Sequence, residues 1–480
     1  MAKQTDPRLL QAMQSIAAGQ STQAEKLCRA VLDERKRDDL AMALLAQACN
    51  ASGKYDEALQ LIRSAIAKNN KRADYHGLLA DMLTTQGDFR GALGAYDKAL
   101  KLQPNHQGVI AGKANTWLRL NEPEKAKKLV EPLVKKGGED LTISIVYAKA
   151  LMEDGHPHDA AKALLHRLPA KNEPIETRRT LYFVLGKAME KASEYQGAFE
   201  AYEEGNKLSA NNFDLDACVR GHDDIIKAFP ENTFASMPTS TSAGEGRIFI
   251  VGMLRSGSTL TEQIIDAHPM GRGLGELETV PRVLKNTFGD SSLSESWASL
   301  TTEQLNSMAS EYLLDTSCRT NETVLVDKQL GNYQFVGVIK KLFPKAKIIH
   351  CTRNPLSMGI SCFSQKLPPH TNAWASNLHS IGHFYNEYIR MMQHWESCLG
   401  DEIMTVPYED LVASQEQTTR RILDFCGLEF DAKCLEFWKT GRTVLTLSQD
   451  QVRKPMYASS VARHERFGAL LDPLQDALGI

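Results

Sequence analysis

Long apolar runs are missing from this 480-residue chain, and so is any imbalance of charge. No stretch approaches the roughly 18 apolar residues that a membrane-crossing helix needs. The opening residues, MAKQTDPRLLQAMQ, are polar where a secretory leader would carry an apolar segment. Lys and Arg number 56 against 59 Asp and Glu, a formal net charge of −3. That balance excludes a general nucleic-acid or anionic-membrane binder, so any bound anion must be held by a local site. Cysteines are few: nine, an odd count, with no CxxC pair. This argues against a zinc site or a redox dithiol and for a reducing, cytoplasmic setting. What is present, 42% hydrophobic and 24% charged residues, is the mix of a globular chain. Its length allows two to three domains.

The front half repeats itself. Ala24, Ala58, Ala92, Ala126 and Ala160 are each 34 residues apart, and Gly19, Gly53, Gly87, Asn121 and Gly155 stand five positions before them. Tyr55 and Phe89 sit three before their alanines, and a sixth copy places Ala198 after a longer loop near Pro169 and Pro174. Each unit reads as two short amphipathic helices. A glycine or asparagine supplies the positive φ of the turn, and the alanine lets the helices approach closely. The pattern resembles the tetratricopeptide repeat over about residues 5–212. The resemblance implies a solenoid at 1–212 whose groove binds protein or peptide, or mediates dimerisation. Residues 213–246 read as a helix and then a Ser/Thr/Gly/Pro-rich linker.

Residues 247–480 open differently. RIFIVGM (247–253) reads as a buried strand, LRSGST (254–259) as a loop and LTEQIIDAHP (260–269) as a helix. Strand, Gly/Ser/Thr-rich loop and helix N-terminus form an anion cradle. Gly252 and Gly257 have the spacing of a Walker A loop and Thr259 its hydroxyl, but Ser258 stands in place of the lysine. A second unit, KAKIIHCTRNPLSMGISCF (345–363), reads as a strand, RNP and a helix, with Arg353 and Ser361 eight apart.

With these loops the rear half resembles the sulfotransferases, in particular the tyrosylprotein sulfotransferases and bacterial sulfotransferases joined to tetratricopeptide repeats. Four blocks carry the likeness: LRSGSTLTEQIIDAHPMGRGLGELETVPRVL, VDKQLGNYQFVGVIKKLFPKAKIIHCTRNP, VPYEDLVASQEQTTRRILDFCGL and SQDQVRKPMYASSVARHERF. The resemblance implies an all-α repeat solenoid followed by an α/β, P-loop-like parallel-sheet domain. Its implied donor is 3′-phosphoadenosine 5′-phosphosulfate (PAPS), which leaves PAP as product. Arg255, Ser256, Gly257, Ser258 and Thr259 would grip the 5′-phosphosulfate. Arg353, Ser361 and Arg463 would hold the 3′-phosphate, and Tyr408 would touch the nucleotide. Ser448, Gln451, Val452, Lys454 and Tyr457 fall in the segment that would cover the adenosine.

Sulfuryl transfer, like phosphoryl transfer, passes in line through a loose transition state, so preorganised cations and N–H groups do most of the work. Lys328 and Arg255, with a hydrogen bond from Ser448, suit the leaving oxygen. The acceptor hydroxyl or phenol needs a base. Glu276 is the base by this resemblance, because the Pro281-Arg282 anchor and the spacing back to His268-Pro269 both select it; anchoring on the Glu-Thr pair would select Glu278, and His268 is a further rival. No metal is required. Glu278 and Gln365 stand where basic residues of the tyrosylprotein enzymes are expected, which opens the acceptor class to a carbohydrate, a lipid head group, a phenol or a protein tyrosine. Two other readings stand beside the enzyme: a non-catalytic repeat adaptor with a degenerate nucleotide domain, and an atypical P-loop kinase.

Overall fold

The computed structural model describes residues 5–168, 170–209, 213–316, 322–439 and 461–480. It divides into two compact units, Met1–Ala201 and Tyr202–Ile480.

The front unit is a run of helix pairs. Ala92 lies in the helix Phe89–Leu102 and Ala126 in Pro123–Lys136. All five alanines of the 34-residue series, and Ala198, have no exposed surface. A larger side chain at any of them would push the paired helices apart. The turn positions have positive φ as the repeat requires: Gly53 at 76°, Gly87 at 84° and Asn121 at 59°. Ser193, at 64°, takes the same place in the last copy, where no glycine or asparagine marked it. Connections this short leave consecutive helices no arrangement but side by side and antiparallel. The alanines then sit in apolar cores with Leu45, Ile62, Ile110 and Val130.

The rear unit is built on five parallel strands: β1 (Arg247–Gly252), β2 (Gly271–Gly275), β3 (Val324–Asp327), β4 (Lys347–Thr352) and β5 (Ile403–Pro407). Their order across the sheet is β2-β3-β1-β4-β5, every pairing parallel. Parallel strands need helical crossovers, which cover both faces, so the central strands are mostly apolar and buried. In β1, Ile248 and Ile250 pack with Ile264, Val326 and Ile349 on one face. Phe249 meets Tyr312 and Phe343 on the other, at centroid distances of 5.7 and 6.4 Å. The strands expected near 247–252 and 346–351 are β1 and β4. The others were harder to read because β2 is GRGLG and β3 has four residues. The chain leaves β1 for one side of the sheet and crosses to β4 on the other, so the loops after β1 and β4 part at a topological switch point. In open α/β sheets ligands bind at such points.

Candidate active site

Each strand delivers one candidate residue from its carboxyl end. Arg255 to Thr259 follow β1, Glu276 follows β2, Lys328 follows β3, Arg353 follows β4 and Tyr408 follows β5. Residues up to 153 positions apart in sequence, from Arg255 to Tyr408, therefore share one edge, because parallel strands align their ends.

The loop after β1 is tight. Gly257 caps the helix Ser258–Asp266 in the left-handed region at φ 95°, and a Cβ there would fall 2.7 Å from Tyr408 Cδ2. Only glycine lets the ring of Tyr408 lie against the loop. Arg255 itself is at φ 71°, an uncommon conformation for a side-chain-bearing residue and a type of strain that gathers at functional sites. Ser258 and Thr259 are buried at the helix N-terminus. The Ser256 Oγ is buried and makes no hydrogen bond within the described residues.

Three guanidinium groups meet around the helix Pro355–Phe363. Arg255 Nε donates to Ser361 Oγ at 3.0 Å, and Arg353 Nη1 donates to the Arg255 carbonyl at 3.1 Å. Arg463 Nη2 donates to Ser364 Oγ at 2.9 Å. Arg353 also stacks on the Tyr408 ring, 4.7 Å from its centroid. Burial pulls the Arg353 guanidinium below its usual pKa, and nearby Arg463 pulls the same way. Gathering cations at this cost fits an anionic ligand. Together with the buried Ser256 hydroxyl and the Gly257 cradle, the cluster has the chemistry to hold a polyanionic ligand.

Beyond β2 and β3, Lys328 has no exposed surface and its Nζ donates to the Glu276 carboxylate, which is half exposed. Glu278 sits on the same turn and accepts from Gln329 Nε2 at 2.8 Å. Two buried carboxylates lie behind them. Burial pushes Glu262 up to about 7 despite the opposing charge of Lys328, and burial pushes Asp327 up to about 7 against a hydrogen bond from Tyr312. Glu262 was missed in the sequence; the signal was a carboxylate in the otherwise helix-packed TEQIID, four before Asp266. His268 is committed to backbone. Its Nε2 lies 3.0 Å from the Glu429 carbonyl and its Nδ1 accepts the Met270 N–H at 3.0 Å, which leaves neither ring nitrogen for a substrate.

A cavity of about 330 Å³ opens beside the loop, walled by Gly252, Met253 and Leu254 on one side and by Trp374 and Phe384 on another. Glu278 and Gln329 line it; Glu276 and Arg282 do not. Arg282 turns to Asp315, with Nη2 2.7 Å from Oδ2. Ser448, Gln451, Val452, Lys454 and Tyr457 lie outside the described residues. Among the described residues no group of His, Cys, Asp and Glu is placed to hold a metal, and no helix is long and apolar enough to cross a membrane.

The model of the sulfotransferase family matches residues 247–432, which span all five strands. The rear unit thus contains the stretch that is similar to the sulfotransferase family. The tetratricopeptide repeat model matches residues 15–82 and 83–142 of the front unit. An uncharacterized protein of Aquifex aeolicus is 31% identical over 424 residues, covering 84% of this chain and 54% of its own length. A protein-tyrosine sulfotransferase of Drosophila melanogaster is 29% identical over 231 residues, covering 45% of this chain and 46% of its own. The chain thus spans about half the length of these relatives. Among solved structures, the sulfotransferase domain of the Synechococcus PCC 7002 olefin synthase is similar at 21% identity and a TM-score of 0.37, covering 50% of this chain and 94% of that domain. Within the sulfotransferase domain, Arg255, Glu276, Lys328, Arg353, Ser361 and Tyr408 stand together at one edge of the sheet, and Arg463 joins them from beyond the matched residues.

Proposed function

We propose that this protein transfers a sulfuryl group from PAPS to a hydroxyl or phenol acceptor. The observation that carries the reading is the convergence of Arg255, Arg353 and Arg463 around Ser361 and Ser364, beside the buried hydroxyl of Ser256. When bound, PAPS would supply an electrophilic sulfuryl group on a nucleotide leaving group; the chain's residues do the rest. Arg255, Ser256, Gly257, Ser258 and Thr259 hold the 5′ end through N–H groups, hydroxyls and one guanidinium. Arg353, Ser361 and Arg463 hold the 3′-phosphate, and Tyr408 packs beside them. Ser448, Gln451, Val452, Lys454 and Tyr457 keep the covering role that the resemblance implies. The Lys328 ammonium balances negative charge on the departing oxygen. The Glu276 carboxylate takes the acceptor's proton, and its ion pair with Lys328 fixes where it points. We assign the tetratricopeptide repeats to partner binding, a cytoplasmic setting to the chain, and the boundaries 1–212, 213–246 and 247–480 to its parts.

Glu276→Gln tests the base. The amide keeps the shape, so PAP binding by calorimetry should be unchanged while turnover falls by about 10²–10⁴. If Glu278→Gln has that effect and Glu276→Gln does not, the base is Glu278. Binding of ATP in preference to PAP would instead return the domain to the kinase reading.

A further inference from the structure

The cavity beside the loop has a chemistry of its own. Its wall formed by Gly252 to Leu254 runs directly into the phosphate-facing turn, so an occupant lies next to the point of transfer. A volume of about 330 Å³ admits a single substituted ring rather than a long chain. Trp374 and Phe384 stack at 4.6 Å with planes 9° apart, and Trp374 is buried, which gives a fixed flat surface. Tyr333 turns its hydroxyl away to His222 Nε2, 3.2 Å off, and so offers the cavity its ring. The charge there is Glu278, whose carboxylate is held by Gln329. Among the described lining residues there is no lysine or arginine, and Arg282, in the helix Thr279–Phe288 that follows Glu278, is drawn off by Asp315.

We infer that this cavity is the acceptor subsite, that it selects a small phenol carrying a positive charge, and that Glu278 is the residue that reads the charge. The inference rests on the sulfotransferase reading. An apolar ring slot orients the phenol, while a carboxylate at its wall attracts a cationic substituent and repels an anionic one. Discrimination arises as much from the repulsion as from the attraction.

Tyramine, para-ethylphenol and para-hydroxyphenylpropionate share a ring and a two-carbon arm and differ in charge. Each is titrated by calorimetry into the full chain saturated with PAP. Tyramine should bind at least about tenfold more tightly than the propionate, with ethylphenol between them. Glu278→Gln should collapse that spread and leave ethylphenol where it was, since the amide keeps the partner Gln329. Trp374→Ala should weaken all three alike. A propionate that binds as tightly as tyramine, or a spread that survives Glu278→Gln, overturns the role of Glu278. PAP binding without any phenol binding overturns the subsite. No PAP binding at all overturns the sulfotransferase reading beneath it.

Discussion

Arg353 shows how one side chain links the fold to the proposed ligand. Position 353 follows β4, so its guanidinium reaches across to the Arg255 carbonyl and lies over Tyr408. Arg353→Ala removes a charge-assisted partner of the 3′-phosphate and should weaken PAP by roughly 1.5–3 kcal/mol. ADP, which lacks that phosphate, should bind nearly as before. Equal losses for both nucleotides would make Arg353 a purely structural residue stacked on Tyr408. Arg255, Ser361 and Arg353 were legible in the sequence because a strand end and a helix start fix where such residues point. In the sequence Glu276 is preferred to Glu278 only through the Pro281-Arg282 anchor and the spacing back to His268-Pro269. Both follow β2 within one turn, and only the partners separate them: Lys328 for the first, Gln329 for the second. The cavity was invisible for the same reason, since Trp374, Phe384 and Glu278 meet through packing rather than spacing.

The helix Ser258–Asp266 does more than present its N-terminus. Glu262 and Asp266, one turn apart, accept the backbone N–H groups of Gly275 and Gly273 at 2.8 Å each. The Gly275 carbonyl accepts the Lys328 N–H at 2.9 Å. The edge strand β2 is thereby tied to the helix Ser258–Asp266, and the turn that carries Glu276 is held from two sides. Blocking N–H groups of β2 with carboxylates also blunts the sheet edge. In the sequence GRGLG gave no strand signal, because these side-chain bonds, not β-propensity, hold it in place. Glu262 is near 7 in the fold, above its unfolded value of about 4.3. Its neutral form is favoured by folding, so its stabilising share is full below about 4.3 and is lost as pH rises through about 7. Glu262→Gln keeps the acceptor for Gly275 and removes the titration. The melting temperature of the native protein, relative to the variant, should therefore fall between about pH 5 and pH 8. The low-lying His350, pushed by burial to about 4, is common to both proteins and drops out of the difference. A difference that stays constant across this range would mean that Glu262 keeps one charge state throughout.

At the scale of the whole molecule the repeats and the rear unit each have an apolar core of their own. The 34-residue period was readable from Ala24 to Ala160, since each copy repeats the same close-packed alanine and a turn of positive φ, and it lengthens only before Ala198; in the rear domain the strands β1 and β4 were readable and β2 and β3 were not. The segment between them reads in the sequence as a helix followed by a Ser/Thr/Gly/Pro-rich linker. Phe229, which ends the helix Leu215–Ala228, is fully buried in the rear unit, 4.8 Å from Trp297 and 5.7 Å from Trp395. His222 and Arg390 extend the contact, with Nδ1 of His222 3.3 Å from Glu387 and Nη1 of Arg390 2.9 Å from Asp223. A chain beginning at Ser242 would lose this helix and bare two tryptophans, a loss of about 3–5 kcal/mol for the phenylalanine alone. A chain beginning at Tyr202 keeps the whole compact unit. If the repeats choose partners and the rear unit does the chemistry, the Tyr202 chain should bind PAP and turn over free tyramine within about threefold of the full protein, while the Ser242 chain precipitates or melts well below it. A Tyr202 chain that folds, with native circular dichroism, but loses PAP affinity by more than about tenfold would place the repeats in the nucleotide site instead.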